Sequence, residues 1–342
     1  MSSNHRLAVA LAALAVLAGC ATAPTSTPAP ALPLTRATLG RTQHILVARA
    51  GPGDTAANLA GALTNDRSLG WRVVALDGQP IRPGSIVAMS LDPADAGLAP
   101  TARYVPILCY HNFVEGRSDS KMSVSSAAFD AQLRWLKDNG FTVVPLSAVA
   151  DYVANGRPLP SKAVAISIDD GYRSAYQIAI PLLRRYGDPA TLFVYTDFVG
   201  AGAALSWSEI DQLSHDPLIA IQSHSKTHGD MVKRLRGETP AAYAKRVHTE
   251  IALPLSTFER RIGGRPGVFA YPFGSADPYV VQQVGDAGYS AAVTVARGGN
   301  PAWAPPLLLR RDMIYGGDDI STFARRVTLA EQGASGPSEA ER

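Results

Sequence analysis

Cysteine is nearly absent from this chain of 342 residues, which carries only Cys20 and Cys109. A fold stapled by several disulfides is therefore excluded, and stability must come from a buried apolar core. Charge of one sign is lacking as well: 32 Lys and Arg stand against 29 Asp and Glu, for a net charge of +3. No basic run is interleaved with aromatics, which argues against nucleic acid or another polyanion as partner. The longest apolar run near the start, residues 7–18, falls short of the roughly 20 residues that a membrane span needs. Histidine is missing beyond His248. What is present, 46% hydrophobic residues with both charge signs, reads as a globular chain long enough for one large domain and a small one.

The first 19 residues have the layout of an export signal: Arg6, the apolar run, then the small residues Ala18 and Gly19 before Cys20. Leu17, Ala18, Gly19 and Cys20 resemble the lipobox of bacterial lipoproteins, which implies a lipidated Cys20 and a chain anchored in the cell envelope, on the outer membrane or periplasmic side in a Gram-negative host. Residues 20–40 are rich in Pro, Ala and Thr and read as a linker. In residues 41–95, Gly53-Asp54-Thr55 precedes a helical stretch and Pro83-Gly84 precedes a strand at 86–89. That order resembles a LysM carbohydrate-binding module, although Asp77-Gly78 stands where a central Asn is usual. A β/α appendage that binds no sugar fits the same pattern. Cys109, within an apolar run, reads as a small buried hydrophobe.

From residue 104 to residue 330, apolar runs of β type alternate with helical patterns. Strands are expected at 105–110, 141–144, 163–168, 191–195, 218–221, 268–271, 291–295 and within 307–314. Helices are expected at 126–139, where Phe129, Leu133 and Leu136 share a face, and at 147–155, 174–186 and 320–329. Fully apolar strands separated by helices imply an α/β fold with a covered parallel sheet, and the number of units suits a distorted (β/α) barrel. Residues 331–342 read as a polar, frayed tail.

Residues suited to chemistry fall at the carboxyl ends of these strands: His111, the pair Asp169-Asp170, His224 and Tyr271. In a parallel barrel those ends converge on one face. His224 and His228 are four residues apart, so a helical turn would aim both imidazoles one way. Two imidazoles with one carboxylate make a three-ligand site with an open position, the arrangement of catalytic zinc. Neighbouring carboxylates point in different directions, which lets one bind metal while the other faces water.

Ser167-Ile168-Asp169-Asp170-Gly171-Tyr172 resembles the [ST]-F-D-D-G motif of the polysaccharide deacetylases with a NodB homology domain, carbohydrate esterase family 4, and Ser223-His224-Ser225-Lys226-Thr227-His228 matches that family's S-H-[ST]-x-x-H. Ala270-Tyr271-Pro272-Phe273-Gly274 resembles its third motif. The resemblance implies a divalent metal, Zn2+ above all, on Asp170, His224 and His228, with Asp169 as catalytic base and the Tyr271 N–H helping to hold an oxyanion. Two departures narrow the subgroup: the family's late acid histidine has no counterpart, and the third motif lacks its Arg, leaving open what orients Asp169. Tyr110-His111-Asn112-Phe113 and Leu309-Arg310-Arg311 instead resemble elements of the poly-β-1,6-N-acetylglucosamine deacetylases, which implies site roles for His111, as general acid, and Arg311. The implied partner is an N-acetylglucosamine polysaccharide that loses acetate. A peptidoglycan deacetylase, a non-catalytic lipid-anchored glycan binder and a glycosidase remain as other readings. The last is disfavoured because its two carboxylates must flank the scissile bond at about 5 Å or more.

Overall fold

The computed structural model describes residues 38–41, 45–75, 80–91, 104–117, 119–302 and 304–331. The signal, Cys20, most of the linker, Asp77-Gly78 and the tail after residue 331 lie outside these.

The N-terminal part is a small antiparallel sheet. Strands β1 (Thr38–Arg41), β2 (Ile45–Arg49), β3 (Val73–Ala75) and β4 (Ile86–Ser90) pair in the order β1-β2-β4-β3, with helix α1 (Ala56–Thr64) and a 3-10 helix at Arg67–Arg72 between β2 and β3. Thr55 caps α1 by accepting the Asn58 N–H, and Leu59, Ala60 and Leu63 pack beneath the sheet against Leu46, Val87 and Met89. Residues 38–40, read from sequence as the end of the linker, thus belong with Arg41 to an edge strand: Thr38, Gly40 and Arg41 pair with Ala48, Val47 and Leu46, with a bulge at Leu39.

The larger part begins at β5 (Ile107–Tyr110). A short pair, β6 (Asn112–Val114) with β7 (Ser123–Ser125), leads into α2 (Ser126–Asp138), where Phe129, Leu133 and Leu136 are buried as their spacing demands and Ser125 caps the start. Next come β8 (Thr142–Val143), α3 (Leu146–Asn155), β9 (Ala163–Ile168), a π turn at Ala175–Ala179 running into α4 (Ile180–Tyr186), and β10 (Ala190–Val194). The chain continues through α5 (Trp207–Ser214), β11 (Ile219–Ser223), α6 (Pro240–Ile262), β12 (Val268–Ala270), α7 (Pro278–Asp286), β13 (Ala291–Val293), β14 (Asp312–Met313) and α8 (Ile320–Glu331).

The strands form one curled parallel sheet in the order β13-β12-β11-β10-β9-β5-β14, with β8 beside β9. All six residues of β9 are buried, the mark of a strand covered on both faces. The segment before β14 ties the two edges together. Leu309 donates to Ala292 O at 2.9 Å and accepts from Thr294 N at 2.8 Å, while β14 pairs with β5. The expected distorted barrel is therefore present. Its seam falls in the run expected at 307–314, where only Asp312–Met313 forms a strand and Leu309 makes a single bridge to Val293.

Candidate active site

Each residue singled out at a strand end lies where the parallel topology carries it. Asp169 and Asp170 follow β9, His111 follows β5, His224 follows β11 and Tyr271 follows β12. Asp170 has a left-handed backbone (φ 74°) and Gly171 follows at φ 79°. This kink turns successive carboxylates away from one another.

His224 and His228 converge, but not on a helical turn. Residues 224–228 form a loop in which Ser225 (φ 71°) and His228 (φ 62°) are both left-handed, and Ser225 Oγ accepts the His228 N–H at 3.0 Å. Glu250, buried on α6, holds this loop from beneath: its carboxylate accepts the Lys226 N–H at 3.1 Å, the Thr227 N–H at 2.8 Å and the Thr227 hydroxyl at 2.7 Å. Sequence reading passed over Glu250, although a lone acid on the buried face of an amphipathic helix is a signal worth following.

The three implied ligands share one point. His224 Nε2 and His228 Nε2 lie 3.6 and 3.4 Å from Asp170 Oδ1. Bonds of about 2.1 Å in a tetrahedron put ligand atoms about 3.4 Å apart, so the spacing fits such an ion. The donor chemistry fits as well. His224 Nδ1 lies 2.8 Å from Ala270 O, so the ring donates there and its Nε2 lone pair is left facing Asp170. Burial lowers the pKa of His224 to about 4 despite the pull of Asp169, which keeps the ring neutral as a ligand must be. Burial, then the charge of Asp169, raises the pKa of Asp170 to about 7. A carboxyl so destabilised as an anion is one that a cation would relieve.

Asp169 belongs to a different set of contacts. Arg311, fully buried, grips it with both ends of its fork: Nη1 to Oδ1 at 2.6 Å and Nη2 to Oδ2 at 2.8 Å. Nη1 also reaches Ser167 Oγ at 3.1 Å, and Nε donates to Thr294 O at 2.9 Å. Burial pushes the Asp169 carboxyl up, yet the charge of Arg311 and its hydrogen bonds hold it well below the usual carboxylate range. What orients Asp169 is thus an arginine from the barrel seam, the residue marked by Leu309-Arg310-Arg311.

His111 is on the Asp169 side of the site: one of its ring nitrogens, Cys109 Sγ and an Asp169 oxygen all lie within 4.8 Å of one another. Its Nδ1 is buried and has no hydrogen-bond partner among the described residues. Burial lowers its pKa, with Asp169 pulling the other way. Tyr172, Phe198, Tyr195, His228 and Phe273 form a continuous file of ring contacts at 4.7–5.5 Å along the ligand set.

One implied role is corrected. The Tyr271 N–H donates to Val293 O at 3.1 Å in the β12–β13 ladder, so it is already committed, and the Tyr271 hydroxyl is occupied by Leu307 O. The turn's uncommitted donor is the N–H of Phe273, which makes no hydrogen bond among the described residues. Phe273 is left-handed (φ 59°) and its exposed ring stands 4.7 Å from that of His228. Gly274 is obligatory behind it, because a Cβ there would meet Val295 Cγ2 at 2.4 Å.

Several known proteins are similar to this chain in sequence or fold. The family model described as "Polysaccharide deacetylase" matches residues 156–292, a span that takes in Asp169, Asp170, His224 and His228 but neither His111 nor Arg311. YxkH of Bacillus subtilis (strain 168), a protein provisionally named as a polysaccharide deacetylase, is 30% identical over 195 residues, covering 57% of this chain and 65% of that protein. The poly-beta-1,6-N-acetyl-D-glucosamine N-deacetylase of Escherichia coli (strain K12) is 24% identical over 261 residues, 66% of this chain and 38% of that one. The chain thus spans less than two thirds of the length of either relative. Among solved structures, the Streptococcus pyogenes deacetylase PplD in complex with acetate shares the fold, with a TM-score of 0.59 at 22% identity over 66% of this chain and 99% of that one. Residues 156–292 of this chain are thus similar to polysaccharide deacetylases, and the curled barrel is shared with a solved deacetylase.

Proposed function

We propose that this chain hydrolyses the acetamide of N-acetylglucosamine units in an exported polysaccharide, poly-β-1,6-N-acetylglucosamine foremost, releasing acetate. The observation that carries the reading is the division of the adjacent carboxylates: Asp170 shares a point with His224 and His228, while Asp169 is clamped by Arg311. The β-1,6 substrate rests on the name of the Escherichia coli relative and on His111 and Arg311 standing at the site.

In this reading Asp170, His224 and His228 would hold a divalent ion, Zn2+ by donor type, which when bound would supply Lewis acidity. Asp169 takes the proton from the attacking water, its orientation fixed by the Arg311 fork. The Phe273 N–H, which makes no hydrogen bond among the described residues, donates to the oxygen that gains charge as the carbonyl becomes tetrahedral. His111 gives a proton to the departing sugar nitrogen, which cannot leave readily as an anion.

Export with a lipid on Cys20, and glycan retention by residues 41–95, complete the proposal. Labelled fatty acid absent from Cys20 would refute the anchor. The test of the activity is acetate release from β-1,6-linked oligomers, chitin oligomers and peptidoglycan in parallel, with and without chelator. Chelator-sensitive acetate release, largest on the β-1,6 oligomers, is expected. New reducing ends without acetate would refute the proposal, and a preference for peptidoglycan would reassign the substrate.

A further inference from the structure

Two loops of the candidate active site run on into a second concave feature. Beyond His228 the chain reaches Val232 and Arg234, and beyond Phe273 it reaches Asp277 and Tyr279. With Pro240 and Tyr243 from the start of α6, these residues line a cavity of about 440 Å³. That volume falls within the roughly 300–1,000 Å³ typical of small-ligand sites.

The lining has a distinct chemistry. The rings of Tyr243 and Tyr279 lie 5.5 Å apart, inclined at 33°. The Arg234 guanidinium sits 4.5 Å over the Tyr243 ring and forms no ion pair among the described residues. Arg246, at 5.4 Å on the same ring, is by contrast neutralised by Glu238 at 2.7 Å. Asp277 uses Oδ1 to cap α7 through the Val280 N–H at 2.8 Å, and Oδ2 makes no hydrogen bond among the described residues. An aromatic pair beside an uncommitted guanidinium and a free carboxylate oxygen suits a sugar ring: C–H faces meet the tyrosines, and hydroxyls meet the planar hydrogen-bonding groups. A wholly apolar ligand would strand both charges, and Asp277 would oppose a simple anion.

Chain connectivity sets the distance. Arg234 is six residues beyond His228 and Asp277 four beyond Phe273, so the cleft lies within about 20 Å of the first and about 14 Å of the second. A polysaccharide reaches that far with a few units; a single sugar does not. We infer that this cleft is a remote subsite for another sugar unit of the same polysaccharide chain, which makes the enzyme favour long glycans over short ones. This rests on the deacetylase reading above.

The test uses the full chain with Tyr279→Ala and, separately, Arg234→Ala, an exposed position at which folding is not at stake. One readout is retardation during native electrophoresis through a gel containing β-1,6-linked N-acetylglucosamine polymer. The other is acetate release from that polymer and from its disaccharide. The cleft predicts weaker retardation and a rise of about 3- to 10-fold in KM on the polymer, the scale of a lost aromatic contact, with polymer kcat and disaccharide kinetics unchanged. Wild-type retardation and polymer KM in both variants would overturn it, as would equal losses on polymer and disaccharide. If the unaltered chain released no acetate from any glycan, the deacetylase reading would fail by itself, and retardation alone would decide the cleft.

Discussion

Arg311→Ala probes the part of the site that depends most on tertiary structure. The substitution removes two charge-assisted bonds to Asp169, at 2.6 and 2.8 Å, and leaves a carboxylate that is only 2% exposed without its counter-ion. Opposite charges about 4 Å apart interact by about 4 kcal/mol at an effective dielectric of about 20, which is equivalent to about three pH units. In the native protein the depressed Asp169 contributes stability that is complete above the unfolded carboxyl value of about 4 and is lost only as pH falls through the lower native value. Without Arg311, burial acts on Asp169 with much less opposition and its pKa climbs towards or past the unfolded value. The urea midpoint should therefore fall by the equivalent of about 3–5 kcal/mol at neutral pH. The acid limb of the kcat/KM profile for acetate release should move up by about three units. Arg311→Lys keeps a charge but cannot span both carboxylate oxygens and Thr294 O, so it should restore part of the limb and less of the stability. An Arg311→Ala protein with an unchanged acid limb and urea midpoint would refute the assignment of Arg311 as the group that positions Asp169.

Three further outcomes are expected. Asp170→Asn or His224→Ala should lose bound metal, whereas Asp169→Asn should retain it and lose turnover by about 10² or more; equal metal loss in all three, measured by elemental analysis, would contradict the division of the carboxylates. Because the Asp170 pKa is near 7 in the metal-free protein, metal binding at pH 6 should release most of one proton from this group and at pH 8 very little, so affinity weakens as pH falls through 7; calorimetry in buffers of different ionisation enthalpy, compared with Asp170→Asn, would show no such difference if Asp170 were not a ligand. His111→Ala should keep metal and fold but lower kcat by roughly 10² to 10⁴ and remove the alkaline limb; a near-normal kcat with that limb intact would exclude His111 as the acid.

Much of the fold and of the site is legible in the sequence, and the reason is period and punctuation. Strands such as β9, apolar but for Ser167, end at Asp or His, so pattern alone puts Asp169-Asp170 and His224 at strand ends. Less legible was anything decided by φ. A four-residue spacing suits a helical turn, but Ser225 and His228 are left-handed, and Glu250, 22 residues beyond His228, fixes the loop. The Tyr271 N–H was misjudged because a motif does not reveal which donors the sheet ladder uses. Arg311 was marked only by a three-residue likeness, since a buried ion pair between β9 and the barrel seam joins residues 142 apart in sequence.

The most direct test of the account is metal restoration. Protein stripped by chelator should release no acetate from β-1,6-linked N-acetylglucosamine oligomers and should recover in proportion to added Zn2+ up to one equivalent, while Asp170→Asn treated in the same way should not recover. Acetate release by fully stripped protein, or full recovery by Asp170→Asn at one equivalent, would contradict a site in which Asp170, His224 and His228 hold the ion and Asp169 acts beside it.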